Sequence, residues 1–200
     1  MRESGKSQHS VQRFLDGDPV HPATRLSLDI GFVLAKPWEE TYFEYYVDLI
    51  TAVASFEDPL CLDALLGAMT TGDIATRGLA SLGQIVVGPV LEKLKDTNVH
   101  VRQAATIVLS ELLDDKLNRH PLTSTATERV LRSLFVAASD QYPYVRMSAI
   151  QGLARVKDPK VVELLQRIAA DDPYDASLHG GTEGVFPVRD LARSLLSATR

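Results

Sequence analysis

The residue types best suited to metal chemistry gather near the end of the sequence, in the stretch DPYDASLHGGTEGVFP at residues 172–187. It contains four potential ligands: Asp172, Asp175, His179 and Glu183. Carboxylate oxygens beside flexible glycines could hold a hard cation such as Ca²⁺. The spacing differs from that of an EF-hand loop, which has alternating ligands and a closing glutamate. We therefore expect an inserted loop, the most mobile internal segment, rather than a metal site.

Patterns that would indicate other catalytic chemistry do not occur in the sequence. No two histidines lie four residues apart and none is next to a glutamate, so the paired ligands of a helical metal site are missing. No serine lies in a Gly-x-Ser-x-Gly turn. Cys61 is the single cysteine, which excludes an internal disulfide and a multi-cysteine metal site. We predict a protein that is not an enzyme and that uses no cofactor.

Charged residues recur in pairs with a fixed spacing. The segments DTNVHVR and DQYPYVR place Asp96 before Arg102 and Asp140 before Arg146 at the same separation, and Arg189 follows a valine in the same way. Such pairs could be taken for catalytic charges, but their recurrence indicates a structural role. We interpret them as a ladder in which each arginine reaches its own turn or the aspartate of the next unit.

The residues after each Val-Arg pair have the spacing of a helix face. An alanine lies three residues after each arginine and a leucine seven residues after it. Alanine at this position indicates a close neighbouring helix, which we expect at Ala105 and Ala149. Apolar residues with helical spacing also precede Asp96 and Asp140, so each unit is a helix, a turn and a second helix. In the last unit we take Asp171 as the equivalent aspartate.

Asp-Pro pairs mark further turns, at Asp58–Pro59 and Asp158–Pro159. Proline at the first position of a helix loses no hydrogen bond, so a new helix begins there. No segment alternates with period two, and no sheet is expected. The sequence thus predicts an all-α fold, an α-solenoid of five antiparallel helix pairs. These pairs are 22–35 with 40–56, 59–69 with 73–85, 87–95 with 100–113, 126–138 with 144–156, and 159–169 with 188–198.

The repeated units resemble HEAT repeats, and their short alanine-rich form is most similar to the subgroup called PBS-lyase HEAT-like repeats. The resemblance is clear over residues 87–169. It implies a right-handed superhelix whose second helices line a concave face, and proteins of this kind mostly bind other proteins. We divide the chain into a flexible segment, 1–20, and a single repeat domain, 21–200. Within that domain residues 21–86 form degenerate repeats, and residues 87–200 form clear ones interrupted by the insertion.

The exposed face of the second helices is the predicted binding surface. Its members lie one, five and nine residues past each arginine: Gln103, Ile107, Glu111, Met147, Gln151, Arg155, Asp190, Ser194 and Ala198. Their mixed character suits a protein partner better than nucleic acid. A second candidate lies in WEETYFEYYVDLI, where Trp38, Tyr42 and Tyr46 share one helical face. That face is either buried at the N-terminal end of the repeats or receives a basic partner segment.

Charge and hydropathy narrow the class of partner. The net charge of −5 disfavours nucleic acid. No stretch approaches the roughly 18 to 20 apolar residues of a membrane span, and the first ten residues lack the apolar core of a secretory signal. We expect a cytoplasmic protein that binds another protein. The resemblance leaves two alternatives, a bilin (phycobilin) lyase-type subunit and, less favoured, a HEAT-like alkylpurine DNA glycosylase. No lyase active residue can be matched to a position here.

Overall fold

The computed structural model describes most of the predicted repeat domain. It covers residues 50–198 except 57, 71, 115–120 and 183, with the side chains of 178 and 179 also left undescribed. The segment 1–20 and the aromatic residues Trp38, Tyr42 and Tyr46 lie outside the described residues. So does most of the first predicted helix pair, of which residues 50–55 are described and are helical.

Eight α-helices follow in the described ranges, and no strand occurs in those ranges. They are α1 (Leu62–Ala68), α2 (Asp73–Ser81), α3 (Val87–Lys93), α4 (Val99–Glu111), α5 (Ser124–Ala137), α6 (Pro143–Leu153), α7 (Pro159–Asp171) and α8 (Pro187–Ala198). Three short 3₁₀ helices accompany them, at Pro59–Cys61, Gly83–Val86 and Ala176–His179. The predicted all-α class is confirmed, and each helix pair after the first is present.

The predicted Asp-Pro turns are confirmed by the hydrogen bonds that cap the helices. The side chain of Asp58 accepts the N–H of Leu60 at 2.8 Å, and that of Asp158 accepts the N–H of Lys160 at 2.9 Å. In both turns proline occupies the first helical position, where its missing N–H costs nothing. Each carboxylate therefore satisfies one of the free donors at the start of a helix.

The helix pairs stack in chain order. Within each pair the two helices contact one another, as α1 does α2, α3 does α4, α5 does α6, and α7 does α8. The second helices also contact one another in sequence, α2 with α4, α4 with α6, and α6 with α8, and the first helices α3 and α5 are in contact. The result is an α-solenoid of two layers, with the second helices side by side in one of them.

The core lies between these layers and is built from aliphatic side chains. Leu65, Leu109, Leu134, Leu153 and Leu165 are fully buried. The two repeat alanines, Ala105 and Ala149, are fully buried as well, which agrees with the close helix contact expected of them. No single helix in the described ranges has the length and apolar composition to span a membrane. The helix α2 and the stretch Gly83–Lys93 have that length and composition only when counted as one segment, and a bend of 116° separates them.

The second helices α4 and α6 approach most closely at Gly152. A methyl group on Gly152 would lie 2.3 Å from Ser110 Oγ and 2.9 Å from Ser110 Cα, so only glycine fits without movement of the helices. The Ser110 hydroxyl lies 2.8 Å from the carbonyl oxygen of Thr106 and 2.9 Å from that of Ser148, and it donates to one of them. This contact sets the spacing between the two helices.

We expect Gly152→Ala to destabilise the protein by about 1–3 kcal/mol, because the added methyl group overpacks a contact that includes backbone atoms. Gly88→Ala is the matched control. Gly88 lies within α3, and a methyl group there would meet no atom within 4 Å apart from its chain neighbours and its own helix. Because Pro89 follows and disfavours helical backbone in a residue with a Cβ, we expect this change to alter stability by less than about 1 kcal/mol. Urea unfolding measures both. Equal effects of the two substitutions would contradict the close approach.

Candidate functional site

A ladder of arginine–aspartate pairs joins successive repeats and fixes the position of the second helices. Arg102 of α4 donates from Nε and Nη2 to the two carboxylate oxygens of Asp140, at 2.9 and 3.1 Å. Its Nη1 donates to the carbonyl oxygens of Asp96 and Thr97, at 3.0 and 3.2 Å. One guanidinium therefore binds both its own turn and the turn of the next repeat. The spacing in the sequence had left open which of these two turns the arginine would reach.

The next arginine repeats this arrangement. Arg146 of α6 donates from Nε and Nη2 to the carboxylate of Asp172, at 2.7 and 2.8 Å. Its Nη1 donates to the carbonyl oxygens of Asp140 and Gln141, at 2.8 and 3.1 Å. Both partners of this pair are almost fully buried, with 8% and 3% of the two side chains exposed. A bidentate pair in this setting is well aligned and poorly screened by solvent.

The choice of Asp171 as the aspartate of the last unit was wrong, because Asp172 occupies that position. Like Asp140, Asp172 accepts the backbone N–H two residues later, in its case from Tyr174 at 3.1 Å. The position is shifted because α7 continues through Asp171, so Asp172 follows the helix directly. In the two preceding repeats a short turn separates the end of the helix from the aspartate.

Arg189 of α8 completes the ladder in a different way. Its Nε donates to the carbonyl oxygen of Asp172 at 2.6 Å, and its guanidinium lies 4.3 Å from the ring centroid of Phe186. The contact with the turn carbonyl is thus kept, and an aromatic face replaces a carboxylate as the guanidinium's further partner. Phe186 is the last residue of the loop before α8, so this contact anchors the loop.

The ladder changes the ionisation of its members. Burial alone would raise the pKa of the Asp140 carboxyl, but hydrogen bonds from Arg102 and Tyr142, with the charges of Arg102 and Arg146, hold its pKa below the ordinary value. The hydrogen bonds to Asp140 in turn raise the pKa of Arg102. Stability from Asp140 is therefore present at neutral pH and is lost as the pH falls through its lowered pKa.

We expect Arg146→Met to destabilise the protein by about 3–5 kcal/mol, because it leaves the buried carboxylate of Asp172 without its partner. Lys95→Met is the matched control: Lys95 pairs with Glu92 at 2.9 Å, but both side chains are 72% exposed. Such a pair contributes at most about 1 kcal/mol. Denaturant unfolding of the two variants tests the ladder, and similar losses would show that burial does not matter to it.

A groove lies between α4 and α6, on the face of the second helices. We call it the α4/α6 groove; it has a volume of about 340 Å³. Its lining consists of Gln103, Ile107, Ser110, Glu111, Tyr144, Met147, Ser148, Gln151 and Arg155. The structure thus brings together the six predicted surface residues of these two repeats. Offsets of one, five and nine past the ladder arginine place them along the facing edges of the two helices.

The sequence did not predict three of the lining residues, which are Tyr144, Ser110 and Ser148. Tyr144 precedes the ladder arginine, so counting forward from Arg146 could not reach it. The two serines lie in the narrow contact between the helices, where small size signals close packing. The predicted members on the last repeat, Asp190, Ser194 and Ala198, are exposed on α8 and do not line this groove.

A row of aromatic rings borders the groove. Tyr144 lies 5.4 Å from Tyr142 and 6.5 Å from Tyr174, between ring centroids, and His100 lies 6.4 Å from Tyr142 in an edge-to-face contact. These rings come from three successive turns, so the aspartate ladder also aligns them. Tyr144 is 45% exposed and presents an aromatic surface in the groove. Rigid aromatic groups of this kind are frequent anchors in protein interfaces.

Glu111 has the most unusual setting in the groove. Its Oε2 is buried and, among the described residues, has no hydrogen-bond partner. Burial raises the pKa of the Glu111 carboxyl to about 7, against the opposing charges of Arg77 and Arg155. A buried acceptor without a donor costs free energy and calls for an explanation. Here the oxygen belongs to a side chain that lines an open groove.

The nearest arginine of the groove is already engaged. Arg155 donates from Nη1 to the carbonyl oxygen of Ser110 at 2.5 Å, and its Nε lies 3.4 Å from Oδ2 of Asp114. Arg77 of α2 pairs with Asp73 at 3.8 Å in an exposed contact. Both cations therefore influence Glu111 through space, and neither donates a hydrogen bond to it.

The loop before α8 does not form a metal site in the part that is described. Asp172 is held by Arg146, and Asp175 caps the 3₁₀ helix by accepting the N–H of Ser177 at 2.9 Å. The side chains of His179 and Glu183 lie outside the described residues. Elsewhere among the described side chains, no group of three or more histidine, cysteine or acidic residues is placed to hold a metal ion.

Cys61 is a fully buried core residue. Burial and the nearby charge of Asp58 raise the pKa of its thiol. A raised pKa disfavours the thiolate, so this cysteine lacks the character of a nucleophile.

The comparisons with known proteins agree with the repeat architecture. Residues 89–178 match the family model described as HEAT repeats. The match extends from α3 into the loop before α8 and includes the α4/α6 groove and the ladder pairs of Arg102 and Arg146. These residues are therefore similar to HEAT repeats, which generally mediate protein–protein interaction. The comparison with curated proteins gave no match.

We expect Glu111→Gln to stabilise the protein at and above pH 7 and to have little effect near pH 4.5. The unfolded carboxyl releases its proton near the ordinary pKa of 4.5, whereas the folded one retains it up to about 7. Stability of the native sequence should therefore fall as pH rises between these values and then level off. Urea unfolding across this range compares the two proteins; a constant difference would contradict the raised pKa.

Proposed function

We propose that this chain is a non-catalytic protein-binding module that holds a segment of a partner protein in the α4/α6 groove. The observation that carries the proposal is the lining of the groove. Two successive HEAT repeats there present apolar, amide and charged side chains around a buried carboxylate oxygen that has no donor within the described chain. Such a surface is incomplete until a partner covers it.

The size of the groove favours recognition of a few anchoring side chains. A volume of about 340 Å³ suits one or two large side chains rather than a whole helix, since ligand pockets start at roughly 300 Å³. Ile107 and Met147 supply apolar contacts, and methionine adapts its shape to different partners. Gln103 and Gln151 supply amide groups that can both donate and accept hydrogen bonds. An extended segment that places its anchors here would contact both repeats.

The finer assignments are also proposals. The short alanine-rich units support the PBS-lyase HEAT-like subgroup, and the single cysteine with the acidic charge supports a cytoplasmic protein that binds neither nucleic acid nor membrane. The bilin lyase alternative needs room for a linear tetrapyrrole, which is larger than the groove. Mixing the protein with phycocyanobilin and recording its absorption spectrum distinguishes this alternative, because a bound bilin would shift and narrow the absorption bands.

Site-specific photocrosslinking tests the proposal. A photoreactive phenylalanine analogue at Gln151, in the groove, should yield discrete adducts with a partner protein in cells of the native organism. The same analogue at Val136 is the control, because Val136 is 72% exposed on α5 and does not line the groove. Adducts from both positions in equal amounts would indicate collision rather than recognition.

A charge placed in the groove should remove the adducts. Met147→Lys introduces a cation into the groove that Glu111 lines, and we expect it to lower the yield of crosslinks from Gln151 at least about tenfold, which corresponds to 1.4 kcal/mol. Val136→Lys makes the same kind of change outside the groove and should leave the yield unchanged. Circular dichroism checks that both variants remain helical. Unchanged adducts in the Met147 variant would refute the proposed function.

A further inference from the structure

Five charged residues surround one end of the α4/α6 groove, and their charges do not balance. They are Asp73 and Arg77 of α2, Glu111 at the end of α4, Asp114 just after α4, and Arg155 just after α6. Among the described residues, two arginines face three carboxylates, which leaves one negative charge in excess when all are ionised. Of the five, Glu111 and Arg155 line the groove and the other three act on Glu111 from close by; no further charged residue of the described ranges lines it.

The contacts identify Glu111 as the residue that carries the excess charge. Arg77 pairs with Asp73, and Arg155 pairs with Asp114 and also donates to the carbonyl oxygen of Ser110. The two aspartates thus account for the two arginines. Glu111 Oε2 is buried and has no hydrogen-bond donor among the described residues.

The two serines of the groove cannot supply the missing donor where they stand. The hydroxyl of Ser110 donates to a carbonyl oxygen of Thr106 or Ser148. The hydroxyl of Ser148 donates to the carbonyl oxygen of Tyr144 at 3.0 Å. Both serine protons are therefore used within the helices.

We propose that the α4/α6 groove recognises a lysine or arginine side chain of the partner segment, with Glu111 Oε2 as the acceptor for its cationic group. This inference rests on the proposed function and adds the chemistry of the partner. The excess negative charge favours a cation over a neutral donor, and the vacant acceptor fixes where the cation lies. The aliphatic part of a long basic side chain would pass over Ile107 and Met147, since such stems pack against apolar surface while the charged head reaches a polar group.

This arrangement makes binding depend on pH near neutrality. A cation favours the ionised carboxylate, whereas burial in the free protein favours the protonated form with a pKa of about 7. The four other charged groups named above face Glu111 from all three helices and are included in that value. Binding should therefore release a proton, and affinity should rise about tenfold from one unit below this pKa to one unit above it.

Selection from a library of random peptides tests the inference with the intact chain. We expect the native protein to select peptides with lysine or arginine enriched at one position, and Glu111→Gln to lose that enrichment. Glu163→Gln removes the same charge at an exposed position of α7 and is the matched control, so it should select the same peptides as the native protein. Met147→Lys, which places a cation in the groove, should select none of them.

One selected peptide then gives a direct measurement. Replacing its basic residue by norleucine keeps the stem and removes the charge, and we expect affinity for the native protein to fall about tenfold or more. The same replacement should leave affinity for the Glu111→Gln variant unchanged. Fluorescence polarisation one pH unit below and above the pKa of Glu111 should show the tenfold rise only for the basic peptide and the native protein.

The outcomes separate the two proposals. Peptides that depend on Met147 but show no basic enrichment, or the same enrichment in Glu111→Gln, would overturn the inference and leave the proposed function standing. Failure to select any peptide whose binding is abolished by Met147→Lys would refute binding in the groove, and with it both proposals.

Discussion

The bidentate pairing of Arg102 and Arg146 with the aspartate of the following repeat is the constraint on which the rest of the structure depends. Each of these arginines binds the carboxylate in the turn of the next repeat and also the carbonyl oxygens of its own turn. A planar guanidinium donates two parallel hydrogen bonds to a carboxylate only when the two groups lie nearly in one plane. The pairing therefore fixes the rotation of one repeat relative to the next. Apolar packing alone would leave this rotation less well defined.

The α4/α6 groove follows from that constraint together with the contact at Gly152. The ladder sets the angle between α4 and α6 at the end where the turns lie, and the close approach of Gly152 to Ser110 sets their separation. The helices then leave a gap between their exposed edges, in which Oε2 of Glu111 is buried without a hydrogen-bond donor from the described part of the chain. Binding surface and scaffold are therefore parts of one arrangement, and the unfavourable burial of Glu111 is sustained by the stability of the repeats.

Much of this could be predicted from spacing because the repeat is a local pattern. An arginine followed by alanine and leucine on one face implies a helix, and recurrence implies stacking, so both the helix pairs and the groove positions on α4 and α6 were accessible. The predicted aspartate of the last unit was wrong by one residue. The spacing of the apolar residues of α7 favours Asp171, whereas Arg146 donates its hydrogen bonds to Asp172. The raised pKa of Glu111 could not be foreseen, because it depends on the burial that the folded groove imposes and on charges from other helices.

The two contacts that meet at Asp172 also have a consequence for engineering. Arg146 holds its side chain, and Arg189, from beyond the loop, holds its carbonyl oxygen. The loop 173–186 therefore begins next to Asp172, and Arg189, which follows the loop in α8, contacts Asp172 again. A hydrogen bond from the Ala176 N–H to the Val185 carbonyl oxygen joins the two ends of the loop. The packing of α7 and α8 should therefore not depend on the length of this loop. Foreign sequence, such as a fluorescent domain or an affinity tag, could be inserted near Thr182 as a cassette without altering the register of the repeats on either side.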